Sequence, residues 1–152
     1  MPWNPEVTVA AIVERDGRFL IVEERSAGRL VLNQPAGHLE PGESLVQGCV
    51  REVLEESAWH FRPRELVGIY RWSKPATAFA AGVSYLRFTF CGELAGHEAG
   101  RKLDAGIVRA VWLDIGELRD LRAHHRSPLV LRCIEDYLGG RRYPLEILNE
   151  HA

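Results

Sequence analysis

"GHLEPGESLVQGCVREVLEES", Gly37 to Ser57, holds five glutamates: Glu40, Glu43, Glu52, Glu55 and Glu56. The last three fall within five residues. Ser44 can cap a helix running to about Ser57, because its hydroxyl can accept from a free backbone N–H there. On such a helix Glu52, Glu55 and Glu56 are spaced i, i+3 and i+4 and share a face. Val46, Val50, Val53 and Leu54 fall roughly opposite, Cys49 sits at the boundary, and Leu45 lies on the wrong side in the first turn. The pattern gives an apolar side for a core and a carboxylate side for something else.

Crowded carboxylates carry a cost. Each like-charge pair one turn apart disfavours an exposed helix by about 0.2–0.5 kcal/mol, and the negative end of the helix dipole adds to it. A hard divalent cation removes both penalties, and magnesium in particular shares its shell among carboxylates, water and substrate phosphates. The stretch therefore suits Mg²⁺ or Mn²⁺ and a phosphate substrate. The competing reading is a solvated charged face with Arg51 as local counter-ion. The surroundings weigh against it. Pro35, Gly37, Pro41 and Gly42 make a stiff loop before the helix. Gly48, one turn before Glu52, lowers helix propensity by about 1 kcal/mol relative to alanine. It does so either to leave room beside the carboxylates or to pack closely on a neighbour.

Working outward, Val7–Glu14 and Arg18–Glu24 read as strands of a hairpin joined at "RDG", Arg15–Gly17. Arg29–Pro35 reads as a short strand that Pro35 stops. Glu65–Trp72 and Val83–Leu94 read as strands around a loop at Ser73–Gly82. A glycine-rich loop covers Ala95–Gly106, and Val108–Leu113 is a last strand. Short helices are expected over Ile115–Leu121 and from Ser127–Pro128 to about Gly139. Mixed strands and helices without a long linker predict a single domain over 1–152, with one sheet covered on both faces.

The bulk numbers fit that expectation. The chain has 152 residues, a formal net charge of -2, 46% hydrophobic and 26% charged residues. That balance gives no reason to expect a nucleic-acid or membrane partner. No apolar run approaches the roughly 18 residues of a membrane span, and the N-terminus lacks a signal-peptide pattern. Three widely spaced cysteines form neither a metal-ligand spacing nor a disulfide framework. A cytoplasmic location is the simplest expectation.

The spacing Gly37, five residues, Glu43, seven residues, Arg51-Glu52-Val53-Leu54-Glu55-Glu56 resembles the Nudix box, G-x5-E-x7-R-E-U-x-E-E-x-G-U, where U is a bulky apolar residue. Every charged position matches. Ala58 stands where the family has glycine, at a position suited to a left-handed helix end, and Trp59 replaces an aliphatic residue. Alanine there costs roughly 1 kcal/mol or shifts the turn. "VTVAAIV", "NQPAGHLE", "YLRFTF" and "RSPLV…RRYPLEIL" extend the resemblance over most of the chain, toward a small phosphatase subgroup of that family.

The resemblance implies an α/β fold, the Nudix-type α/β/α sandwich with a mixed β-sheet. It implies a Mg²⁺-dependent (or Mn²⁺-dependent) hydrolase of phosphoanhydrides. Its partners would be small nucleoside phosphates or thiamine-pathway phosphates. Glu52, Glu55 and Glu56 would bind metal with the backbone carbonyl of Ala36. Arg51 would hold Glu43 and Glu52 in place, and Glu52 would serve as the base. Asp104 is the candidate for a further acidic ligand from a later loop, although an ordinary surface aspartate is the preferred reading. Trp72, Tyr85 and Phe88 are candidates to stack on a ring, or are core. Arg87 falls on the strand face opposite Phe88 and Phe90, where it meets either a phosphate or a surface salt bridge. Asn33 and Gln34 line a pocket or serve a strand edge. His38 earns no catalytic role, and His124 and His125 are expected in solvent. Two other readings remain. One is a nucleotide or ADP-ribose pyrophosphatase, to which Pro75, sixteen residues beyond Trp59, lends slight support. The other is a non-catalytic nucleotide-binding module, which the intact set of box carboxylates argues against.

Overall fold

Alternation along the first strand decides which helix covers which side. The computed structural model describes residues 3–151. In β1 (Glu6–Ile12), Val9 and Ala11 face one core, which they share with Leu45, Cys49 and Val53 of α1 (Leu45–Ser57). Ile12 faces a second core with Leu129, Cys133 and Ile134 of α3 (Leu129–Leu138) and Leu118 of α2 (Ile115–Asp120). Side chains of a strand point alternately to its two faces, so one run of small and β-branched residues serves both cores.

The remaining strands are β2 (Glu14–Arg15), β3 (Arg18–Ser26), β4 (Arg29–Asn33), β5 (Ala36–His38), β6 (Trp59–Lys74), β7 (Val83–His97), β8 (Ile107–Asp114) and β9 (Tyr143–Pro144). The larger sheet has the order β5-β1-β7-β6-β9. Its β1–β7 pairing is parallel and its other pairings are antiparallel, which makes it the mixed sheet expected. The hairpin turn at Asp16–Gly17 has both residues at positive φ, the conformation that a two-residue loop between twisted strands requires.

Four expectations need correction. The strands form two sheets rather than one, because β3 pairs with β2, β4 and β8 and not with the larger sheet. The stretch at Gly37 is not loop: Ala36–His38 pairs with β1. The central hairpin is longer than read, with β6 beginning at Trp59 and β7 ending at His97. Register shifts between His60 and Phe61, Pro63 and Glu65, and Leu66 and Gly68 break the alternation that would mark a strand, and Pro63 reads as a stop. Finally, the core stripe of α1 is Leu45–Cys49–Val53, whereas Val46, Val50 and Leu54 are only half-buried. Cys49, Glu52, Val53 and Glu56 follow i, i+3, i+4, i+7, so the acidic and apolar side chains share a flank instead of opposing each other.

Both ends of α1 are fixed locally. Ser44 Oγ accepts from Gln47 N at 3.0 Å, and Gln47 Oε1 accepts from Ser44 N at 2.8 Å, a reciprocal cap. At the other end Ala58 takes φ 63° and ψ 13°, and its N–H donates to Leu54 O at 2.9 Å. The turn is therefore not shifted; the alanine itself adopts the left-handed conformation at its steric cost. Ala58→Gly should raise stability by about 1 kcal/mol, a gain of roughly 2–4 °C in melting temperature that thermal denaturation can read. An unchanged or lower melting temperature would mean that the buried methyl of Ala58 outweighs the strain.

Candidate active site

The short strand β5 and helix α1 meet where Gly37 lies against Glu52. A Cβ at Gly37 would overlap the Glu52 carboxylate, so only glycine lets the helix carboxylates come this close to the sheet. A Cβ at Gly48 would lie 2.9 Å from Glu43 Oε1 and 3.0 Å from Leu39 Cδ1, so room beside a carboxylate and close packing are one constraint here.

Arg51 organises this region. Its Nε and Nη2 bind Glu43 at 3.0 and 2.7 Å, and Nη1 reaches Glu52 Oε1 at 2.7 Å and Glu55 Oε2 at 3.2 Å. Nη2 also donates to His38 O at 2.9 Å, which ties the helix to the end of β5. Glu43 additionally accepts from Glu40 N at 2.8 Å and so draws the preceding loop around the guanidinium. These contacts hold the Glu43 carboxyl below its ordinary range, chiefly through the hydrogen bond from Arg51. The same bond, again with Glu43 foremost, makes Arg51 still harder to deprotonate.

The other carboxylates shift the opposite way. Burial is the leading cause in raising Glu52, Glu55 and Glu56, with negative neighbours adding to it. Glu56 is pushed up to about 9, although Ala36 N donates to its Oε1 at 2.8 Å. Glu52, Glu55 and Asp104 each offer an oxygen within 4.8 Å of the other two. Asp104 is thus not an isolated surface aspartate: its N–H donates to Glu55 O at 3.0 Å, which brings its loop to the end of α1. Glu56 stands outside that trio, and its contact with Ala36 runs through the N–H, not the carbonyl. A donor set made only of oxygen fits a hard divalent cation, and one guanidinium leaves most of this negative charge uncompensated.

Beside the carboxylates opens a cavity of about 530 Å³. Glu52, Glu56 and Gly37 line one side, and Trp72, Tyr85 and Arg87 line another. Trp72 and Tyr85 stack with ring centroids 5.8 Å apart and planes 16° apart. Phe88 does not join them; it packs into the core under α1. Among the described residues Arg87 makes no salt bridge: it is buried and bound by Asn33 and Gln34. His38 binds Glu6 at 2.6 Å on the rim. His125 is not in solvent as expected, since its Nε2 is buried with no partner among the described residues and burial lowers its pKa.

Sequence reasoning missed Glu24, Arg126, Lys74 and Arg29 in the cavity wall. Arg126 Nη1 binds Glu24 Oε1 at 2.6 Å across a long stretch of chain, and no local pattern announces such a pair.

The NUDIX domain profile matches residues 3–133. The chain is 38% identical to Phosphatase NudJ of Escherichia coli over 149 residues, which covers 97% of this chain and 93% of that protein. It superposes on a NUDIX hydrolase from Nitrosomonas europaea with a TM-score of 0.89 and 54% identity, covering 97% of this chain and 98% of that one. An ADP-ribose pyrophosphatase from Streptococcus suis shares the fold, with a TM-score of 0.67 at 16% identity over 92% of this chain and 96% of that one.

The raised Glu56 pKa sets a pH dependence. Without metal, between about pH 4.5 and 9, the folded chain keeps a proton that the unfolded chain releases, so stability falls as pH rises through that window. A divalent cation competes with the proton, so its stabilisation should be larger at pH 8.5 than at pH 6. At a hundredfold excess over Kd it should reach about 2.7 kcal/mol, or roughly 5–10 °C. Melting curves with Mg²⁺ or Mn²⁺ and with EDTA test this. A flat pH profile, or equal cation effects at both pH values, would contradict it.

Proposed function

The chain belongs to the NUDIX family of hydrolases, and from that premise we propose that it is a Mg²⁺-dependent phosphatase, with Mn²⁺ able to substitute. Its substrates in this reading are nucleoside tri- and diphosphates or thiamine-pathway pyrophosphates, met in the cytoplasm. The observation that carries the reading is the trio Glu52, Glu55 and Asp104, with oxygens within 4.8 Å of one another, joined through Glu52 to a cavity that Trp72, Tyr85 and Arg87 also line. The 38% identity to Phosphatase NudJ supports the choice of a phosphatase. Among the described residues no helix is long and apolar enough to cross a membrane.

In this reading Glu52, Glu55 and Glu56 hold the cation with the Ala36 backbone, and Asp104 completes the set. Bound there, the cation would offset phosphate charge and make an attacking water more acidic. Glu52 would serve as the base for the attacking water, because its carboxylate lines the cavity and Arg51 fixes its orientation. Arg51 also binds Glu43, so it acts as a positioning residue on the helix rather than on the substrate. The Trp72–Tyr85 pair presents a flat surface on which a base or heteroaromatic ring can stack.

A phosphate-release assay tests the proposal, run with Mg²⁺ in the presence and absence of added inorganic pyrophosphatase. The panel is nucleoside di- and triphosphates, thiamine pyrophosphate and ADP-ribose. Direct orthophosphate release is expected, reduced by about 100-fold or more in Glu56→Gln, since even outer-shell partners of metal ligands contribute 10–100-fold. Signal only with the added enzyme would identify pyrophosphate as the product and make the chain a nucleotide pyrophosphatase. Turnover of ADP-ribose alone, read in a parallel reaction with alkaline phosphatase that frees phosphate from the products AMP and ribose 5-phosphate, would make it an ADP-ribose pyrophosphatase. Nucleotide binding without turnover would leave a non-catalytic module.

A further inference from the structure

We infer that Arg87 is the receptor for an anionic group of the substrate, and that Asn33 and Gln34 hold it with neutral oxygens so that its charge stays available. The inference rests on reading the cavity as a phosphohydrolase site, and it adds a residue at a distance from the metal-binding carboxylates. Thr8 is the register partner of both His38 and Arg87. Arg87 is therefore two strands, roughly 10 Å, from the strand that carries Gly37.

Arg87 lines the cavity yet is only 6% exposed. Its Nη1 donates to Gln34 Oε1 at 2.9 Å and lies 4.0 Å from Cys133 Sγ; its Nη2 donates to Asn33 Oδ1 at 3.0 Å. Gln34 is 1% exposed and is anchored in turn, its Nε2 donating to Val130 O at 2.6 Å. This chain from α3 through Gln34 to Arg87 fixes the guanidinium plane. Among the described residues no carboxylate lies within 4.0 Å of it, whereas Arg51 and Arg126 both have such partners. Tyr70, the register partner of Arg87 on β6, does reach a carboxylate, Asp136, at 2.8 Å. That group is already shared with Arg132 at 3.2 Å and Arg141 at 3.7 Å.

A buried cation without a counter-ion is unfavourable in the free protein. Amide oxygens orient a guanidinium but do not neutralise it. Of its five N–H donors, two serve Gln34 and Asn33 and a third is turned to Cys133 Sγ; the pair that remains, on Nη2 and Nε, suits two oxygens of one phosphate. The missing negative charge is what a phosphate substrate would bring into the cavity.

Asn33→Asp tests this directly, because it places a carboxylate of nearly the same size where Oδ1 already meets Nη2. The variant should melt at or above the wild-type temperature, because the buried charge is then paired. Its KM for ADP should rise at least about tenfold, as expected for loss of a hydrogen bond to a charged group, with kcat changed much less. Arg87→Lys, which keeps the charge but not the fork, should also raise KM. A stabilised Asn33→Asp protein with unchanged KM would overturn the inference and leave Arg87 a structural residue. Should the wild-type enzyme hydrolyse nothing on the panel, calorimetry with ADP in EDTA still decides. ADP bound by wild type but not by Asn33→Asp upholds the anion receptor while the phosphatase reading fails. ADP bound equally by both, or by neither, overturns it.

Discussion

Everything at this site depends on burying carboxylates that cannot neutralise one another. Glu52 and Glu56 are each more than nine-tenths buried on α1, against β5. Water would ordinarily stabilise such groups. Here that service comes from one guanidinium and one backbone N–H, and the charge left over is relieved by the proton that burial keeps on Glu56. Arg51 is the centre of the arrangement because its planar fork can bind Glu43 on two atoms and still reach Glu52, Glu55 and the carbonyl of His38. A lysine, with one compact charge, could not fix all of these at once.

The sandwich supplies the rigidity this needs. Two cores grip the sheet from both sides, one through Cys49 and Val53 under the acidic helix, the other through Cys133 and Ile134 of α3. The acidic face of α1 and the aromatic residues of β6 and β7 thereby line the same cavity. The two walls come from different layers: α1 carries the carboxylates, and β6 and β7 carry Trp72, Tyr85 and Arg87.

The helix, its Ser44 cap and the identity of its charged residues were legible because each follows from neighbours within one or two turns. The resemblance to the box also implied two of the partners of Arg51, Glu43 and Glu52, but not Glu55 or the carbonyl of His38. What the sequence concealed was non-local. Nothing in the residues around Asp104 says that its loop meets Glu55, and nothing around Arg126 points to Glu24. The alternation of Tyr85, Arg87 and Thr89 gave the correct face for Arg87, but parity cannot distinguish an exposed edge from a cavity wall roofed by α3. The flank of α1 was misjudged for a related reason. Helical projection assumes that charge seeks water, and here Glu52 and Glu56 lie in the same stripe as Cys49 and Val53.

The parallel pairing of β1 with β7 bears on how the molecule is assembled over time. Strands β6 and β7 are neighbours in the chain and can zip from their connecting loop, a local process. Glu6 must find Tyr85, and Ile12 must find Cys91, across most of the intervening sequence. Closing so long a loop carries an entropic cost before any contact offsets it, which makes such pairings slow steps in folding. Among the described residues β5 joins the larger sheet only through β1, so the row from His38 through Thr8 to Arg87 waits on that closure, whereas the meeting of Gly37 with Glu52 is made within a short stretch of chain. The side of the cavity lined by Arg87 and the side lined by His38 are thus joined by a pairing of long sequence separation in the larger sheet.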